Sequence, residues 1–138
     1  MKKKKEKKYK SIFLLDCSEQ ELLQNKRLLE MLDLAEEVHL FDSANEALLH
    51  LVQPGQVPDI LITGPSMQDT DIKNFMRAYE NLPAWVTGHC KVCLLLEPVE
   101  MEEENNFHHP LLHKTMHRPL CVHELMDEGG EYMQVLAA

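Results

Sequence analysis

Apolar residues along this chain fall in short runs that alternate between two spacings. KSIFLL, residues 10–15, is a compact apolar run that stops at Asp16 and reads as a strand. Ser18 followed by Glu21 has the form of a capping box, and the helix behind it places Leu22, Leu29 and Leu32 on one face with Leu28 beside them, ending near Asp33. EVHLF, residues 37–41, predicts a second strand. ANEALLHLV predicts a second helix, capped by Ser43 or Asp42 and closed by the Gln53-Pro54-Gly55 turn. PDILIT, residues 58–63, predicts a buried third strand that breaks at Gly64-Pro65. A third helix from Met67 or Asp69 to Tyr79 carries Ile72, Phe75, Met76 and Tyr79 at core spacing. Pro83 to Gly88 then reads as a loop and Cys90 to Leu96 as a fourth strand. The acidic MEEENNF predicts a short fourth helix, Leu111 to Met116 a fifth strand and Arg118-Pro119 a turn. From Leu120 onward a last helix carries Leu125, Met126 and Tyr132, weakened by Gly129-Gly130.

Strand–helix units in unbroken succession predict an α/β, doubly wound parallel sheet with helices on both faces. In open sheets of this kind, sites are built from the loops at the carboxyl ends of the strands. That directs attention to the break at Gly64.

Length and charge narrow the picture. At 138 residues the chain can bury a single core without metals or disulfides. Residues 1–9 predict a basic tail and residues 10–138 one domain. The first ten residues hold seven Lys and one Glu. The other 128 are left with seven basic and 22 acidic side chains, a net of −15. An acidic body argues against nucleic acid as a partner, because phosphate contacts need a basic face. The Lys run reads as a solvated terminus, with an anionic surface or acidic partner as the sharper option. The apolar stretch Ile12 to Leu15 is shorter than the roughly 7–15 residues of a signal-peptide core, and no run nears the roughly 18 of a membrane span. The expectation is a cytoplasmic protein with Cys17, Cys90, Cys93 and Cys121 as free thiols. Cys90 and Cys93 have C-x-x-C spacing but sit on an apolar run, which favours buried strand cysteines over a redox pair.

The stretches IFLLDCSEQ, EVHLFDSANEALLHL, PDILITGPSM, KVCLLLEP and MHRPLCVHEL resemble, in order and spacing, the landmarks of a two-component response-regulator receiver domain. The likeness runs from about Lys10 to Met133. It implies a flavodoxin-like (βα)5 fold with strand order 2-1-3-4-5, whose switch point lies beside strands one and three. It also implies a chemistry. Such domains phosphorylate an Asp at the end of strand three, hold Mg²⁺ on two acids after strand one, end strand four in Thr or Ser, and place a Lys before a cis-proline after strand five.

This chain departs from that pattern at almost every chemical position. The acceptor position is Gly64, which has no nucleophile. The acidic pair is Asp16 and Cys17, the hydroxyl position is Leu96, and the Lys position is Arg118 before Pro119, the cis-proline candidate. The aromatic that moves with phosphorylation is matched by Thr115. Mg²⁺ demands about six hard oxygen ligands in tight octahedral geometry, so Asp16 alone predicts weak binding or none, and no cofactor is expected. Asp16 and Arg118 are expected either to pair across the vacated pocket or each to face water. Asp69 and Asp71 read as cap and first-turn charges of the third helix, and Asp59 lies at the wrong end of its strand to replace the acceptor.

His108, His109, His113 and His117 cluster, with His123 after them. Residues four apart on a strand are separated by about 13 Å, too far to share one ion, so no metal site is expected; a pH-sensitive rim is a further option. The resemblance therefore implies a stand-alone, degenerate receiver. It would be a non-enzymatic, phosphorylation-independent interaction module in phosphorelay signalling, with a histidine kinase or another receiver as candidate partner. A homodimer could form through the face of the fourth helix, fifth strand and fifth helix. The alternatives are a small-molecule sensor in the vacated crevice and a phosphoacceptor using a displaced carboxylate. The Asp16–Arg118 pair predicts that Arg118→Ala lowers stability by up to about 1 kcal/mol in denaturant titrations. Unchanged stability and unchanged partner binding would remove any structural role for Arg118.

Overall fold

The computed structural model describes residues 8–64, 66–96 and 109–117. Among the described residues nine elements follow one another: β1 Tyr9–Leu15, α1 Glu19–Met31, β2 Ala35–Phe41, α2 Ala44–Leu51, β3 Ile60–Thr63, α3 Asp69–Tyr79, α4 Ala84–Thr87, β4 Lys91–Leu96 and β5 Leu112–His117. The five strands form one parallel sheet in the order β2-β1-β3-β4-β5, the doubly wound order expected from the sequence.

Alternation along the strands divides the core in two. Ile12, Leu14, Ile60, Ile62, Cys93 and Leu95 point to one face, where Leu22 and Leu29 of α1 cover them. Phe13, Leu15, Leu61, Val92 and Leu94 point to the other, against Ala47 and Leu51 of α2 and Ile72, Phe75, Met76 and Tyr79 of α3. A strand buried on both faces carries a continuous apolar run, which is why β1, β3 and β4 were legible as runs and not as alternations. Cys90 and Cys93 belong to opposite faces of the sheet, so the C-x-x-C spacing makes no thiol pair. Burial pushes the Cys90 thiol up to about 12, with Cys93 and Asp59 adding to the shift, and it stays protonated.

The helix starts follow the sequence. Ser18 and Ser43 cap α1 and α2 by accepting the N–H groups of Glu21 and Glu46. At α3 the cap position is Gln68, without a side-chain bond; Asp69 opens the helix and Asp71 falls in its first turn, where the helix dipole favours negative charge. α1 ends where Asp33 takes a left-handed φ of +54°, a conformation Asp tolerates better than most residues.

Several boundaries differ from expectation: β4 starts at Lys91 and β5 runs Leu112–His117, each one residue later than expected. β1 starts at Tyr9, whose N–H donates to Leu34 O at 2.8 Å. β2 starts at Ala35, because Tyr9 pairs with Ala35 and draws the acidic Ala35-Glu36 stretch into the ladder. β3 starts at Ile60. The expected loop Pro83–Gly88 contains α4, a single turn closed by Gly88 N–H donating to Ala84 O at 2.8 Å. Four residues are too few to display a helical period. The acidic segment 97–108, the Arg118-Pro119 turn, the last helix and most of the basic tail lie outside the described residues.

Tyr79 ties α3 to the start of β4: its buried hydroxyl donates to Cys90 O at 2.6 Å. Tyr79→Phe keeps the ring but removes that bond, and is expected to cost about 1–2 kcal/mol. Thermal unfolding should show this as a Tm lowered by several degrees.

Candidate functional site

The sheet brings the sequence-derived positions to one edge unevenly. β1 ends at Leu15, and its continuation is anchored on both sides. Asp16 N–H donates to Phe41 O of β2 at 3.0 Å, and Gly64 N–H donates to Leu15 O at 2.6 Å. The second bond draws the carboxyl ends of β1 and β3 closely together.

Asp16 is almost fully buried, at 1 % exposure. Its Oδ1 accepts the Ser18 N–H at 3.1 Å, while Oδ2 has no hydrogen-bond partner among the described residues. The neighbouring Cys17 is exposed and its thiol donates to Ser66 O at 3.0 Å, strapping the β1–α1 loop to the β3–α3 loop. A Cβ built on Gly64 would fall on the Asp16 carboxylate and lie 2.7 Å from Asp16 Cβ. The side-chain space that Gly64 leaves is thus occupied, and its occupant is Asp16.

The remaining positions sit around this contact. Leu96 lies at the carboxyl end of β4, paired with His117. Thr115, half-buried, pairs with Leu94, two residues further into the sheet. Arg118 and Pro119 lie outside the described residues, so the expected partner of Asp16 does too. Thr63, adjacent to Gly64, also buries an Oγ1 without a partner among the described residues.

These residues do not fit Mg²⁺. Mg²⁺ keeps several waters and is held through one or two carboxylates; here the one carboxylate is buried among protein atoms, and the neighbouring thiol and glycine supply no side-chain oxygen. Among the described residues no three His, Cys, Asp or Glu side chains converge on one point. His109 instead accepts the Leu111 N–H at Nδ1 and places Nε2 2.8 Å from Glu80 Oε2, joining the start of β5 to the end of α3.

Two features escaped the sequence reading. Asp59, read only as the start of a strand, accepts the Lys10 N–H at 2.6 Å and sits 2.9 Å from His89 Nε2, binding the amino ends of the central strands. A cleft of about 420 Å³ opens between Cys17, Asp42, Asn45, Met67 and Asp71. Another of about 470 Å³ lies beside Lys10, Glu37, His39 and His50. Neither includes Asp16 or Gly64. No local pattern announces such clefts, because each is assembled from residues far apart in sequence.

The fold has counterparts among solved structures. A response regulator receiver protein from Dyadobacter fermentans superposes with a TM-score of 0.71 at 22 % identity, covering 89 % of this chain and 97 % of that one. A two component response regulator from Cytophaga hutchinsonii gives 0.70 at 21 % identity, covering 96 % and 100 %. A CheY-like receiver domain from Methylobacillus flagellatus gives 0.67 at 16 % identity, covering 88 % and 97 %. The chain has the receiver fold. At these identities the likeness speaks for the fold alone, and no protein-family model and no curated protein matches the sequence. The receiver fold nevertheless makes the carboxyl end of β3 the place to look for chemistry, and here that place is Gly64.

Burial holds the Asp16 carboxyl above the usual carboxylate range, with the Glu21 charge adding to the effect. The N–H groups of Ser18, Ser66 and Cys17 pull in the opposite direction. A carboxyl raised in this way holds its proton more tightly in the folded state than in the unfolded one, so its ionisation opposes folding. Its favourable contribution is complete below the unfolded value of about 3.9 and declines as pH rises, levelling off once the folded carboxyl has also ionised. Asp16→Asn is therefore expected to gain stability relative to the wild type as pH rises from about 4. Parallel denaturant titrations check this, and a difference that stays constant from acid to neutral pH contradicts it.

Proposed function

We propose that this chain is a phosphorylation-independent receiver module: a protein-interaction domain of two-component signalling whose state is not set by an acyl phosphate. The observation that carries the reading is Gly64 at the carboxyl end of β3, with the Asp16 carboxylate in the space a side chain there would take. Gly64 has no side-chain oxygen to attack phosphorus. Asp16 is too deeply buried to meet a phosphodonor, and Asp59 is engaged at the opposite end of the sheet. Mg²⁺ has no role in this reading, and neither does catalysis by the chain itself.

Its partners would be other signalling proteins, a histidine kinase or another receiver among them, and the face around β5 is the candidate surface for a homodimer. No described helix is long and apolar enough to cross a membrane. We place the module in the cytoplasm on the strength of the signalling proteins that share its fold. The sensor alternative would use the cleft of about 420 Å³ beside Cys17, Met67 and Asp71, since Asp16 takes the side-chain space at Gly64.

Incubation with acetyl phosphate and Mg²⁺, read by intact mass, tests the reading. The wild type is expected to gain no phosphoryl group, and stoichiometric gain would refute it. A native pull-down is expected to return signalling proteins whose binding does not depend on phosphodonor.

A further inference from the structure

Resting on the phosphorylation-independent reading, we propose that Asp16 and Gly64 form a steric lock that fuses the carboxyl ends of β1 and β3 into one fixed arrangement. On this view glycine at 64 is a packing requirement as well as the loss of a nucleophile.

The clash a larger residue would meet has two parts of different character. Overlap with the Asp16 carboxylate could be relieved by turning that side chain. The 2.7 Å approach to Asp16 Cβ could not, because a Cβ is fixed to its backbone. Any side chain at 64 therefore has to push the two strand ends apart. Those ends are held by the 2.6 Å bond from Gly64 N–H to Leu15 O, and the loops beyond them by the Cys17 thiol on Ser66 O. Absence of a Cβ is what lets the two backbones approach this closely.

The lock has a consequence for regulation. A receiver that responds to phosphate needs an acid at the end of β3 and a metal-facing acid after β1 at the same time. In this packing the two cannot coexist, so restoring Asp at 64 alone does not restore a working site. The ends of β1 and β3 are thereby held in one arrangement.

A set of variants read by thermal unfolding tests the lock. Gly64→Ala is expected to lower Tm by about 5–10 °C. Asp16→Asn/Gly64→Ala keeps the Cβ at 16 and should show the same loss relative to Asp16→Asn. Asp16→Gly/Gly64→Ala removes it, and the loss relative to Asp16→Gly should shrink to about 2 °C or less. An equal loss in all three backgrounds, or no loss from Gly64→Ala, overturns the lock.

Should a variant not fold, the wild type still decides. Its Gly64 amide is expected to exchange with solvent as slowly as the core of β1, and exchange at the free-peptide rate overturns the proposal. Wild-type phosphorylation by acetyl phosphate would end the phosphorylation-independent reading while leaving these packing results intact. Additive losses without phosphorylation would end the lock and leave that reading standing.

Discussion

Close approach between two strand ends governs this protein. Gly64 N–H meets Leu15 O at 2.6 Å, and the side chain that shields the contact is Asp16, the residue immediately after β1. Such an approach is open to glycine because nothing projects from its Cα. Around it the rest of the carboxyl edge is organised. Asp16 N–H reaches across to β2, its Oδ1 accepts the N–H that begins the first helix cap, and the Cys17 thiol closes onto the β3–α3 loop. A buried carboxylate such as Asp16, whose Oδ2 has no partner among the described residues, opposes folding when ionised. That cost is carried at the one place where a receiver fold builds its chemistry.

Away from this edge the molecule is conventional, and its stability rests elsewhere. Two apolar layers, one beneath α1 and one beneath α2 and α3, bury the central strands on both faces. The opposite end of the sheet is fastened by Asp59, which serves a backbone N–H and the His89 imidazole together. The frame therefore does not depend on the chemistry of the carboxyl edge.

Much of the frame was legible in the sequence, and the reasons are specific. β1, β3 and β4 are buried on both faces and so spell themselves out as apolar runs. Ser18 and Ser43 announce their helices by capping chemistry. What was not legible depends on pairing or on three dimensions. The start of β2 is acidic and exposed, and becomes strand only because Tyr9 pairs with Ala35. α4 is one turn, below the length at which a period can be read. Most tellingly, the sequence located Asp16 as the acid kept from a receiver pattern and Gly64 as a departure from it, and left Asp16 either to pair with Arg118 or to face water. Contact between Asp16 and Gly64 is a property of backbone spacing, for which no residue spacing along the chain stands as a sign.

The central claim is that the carboxyl edge is filled by the protein's own Asp16 and takes no phosphoryl group. Amide NMR of the wild type, titrated with Mg²⁺ and beryllofluoride as a phosphoryl mimic, tests it most directly. The account predicts that the Gly64, Ser66 and Asp16 resonances stay where they are through the titration. Saturable shifts at those residues would contradict it.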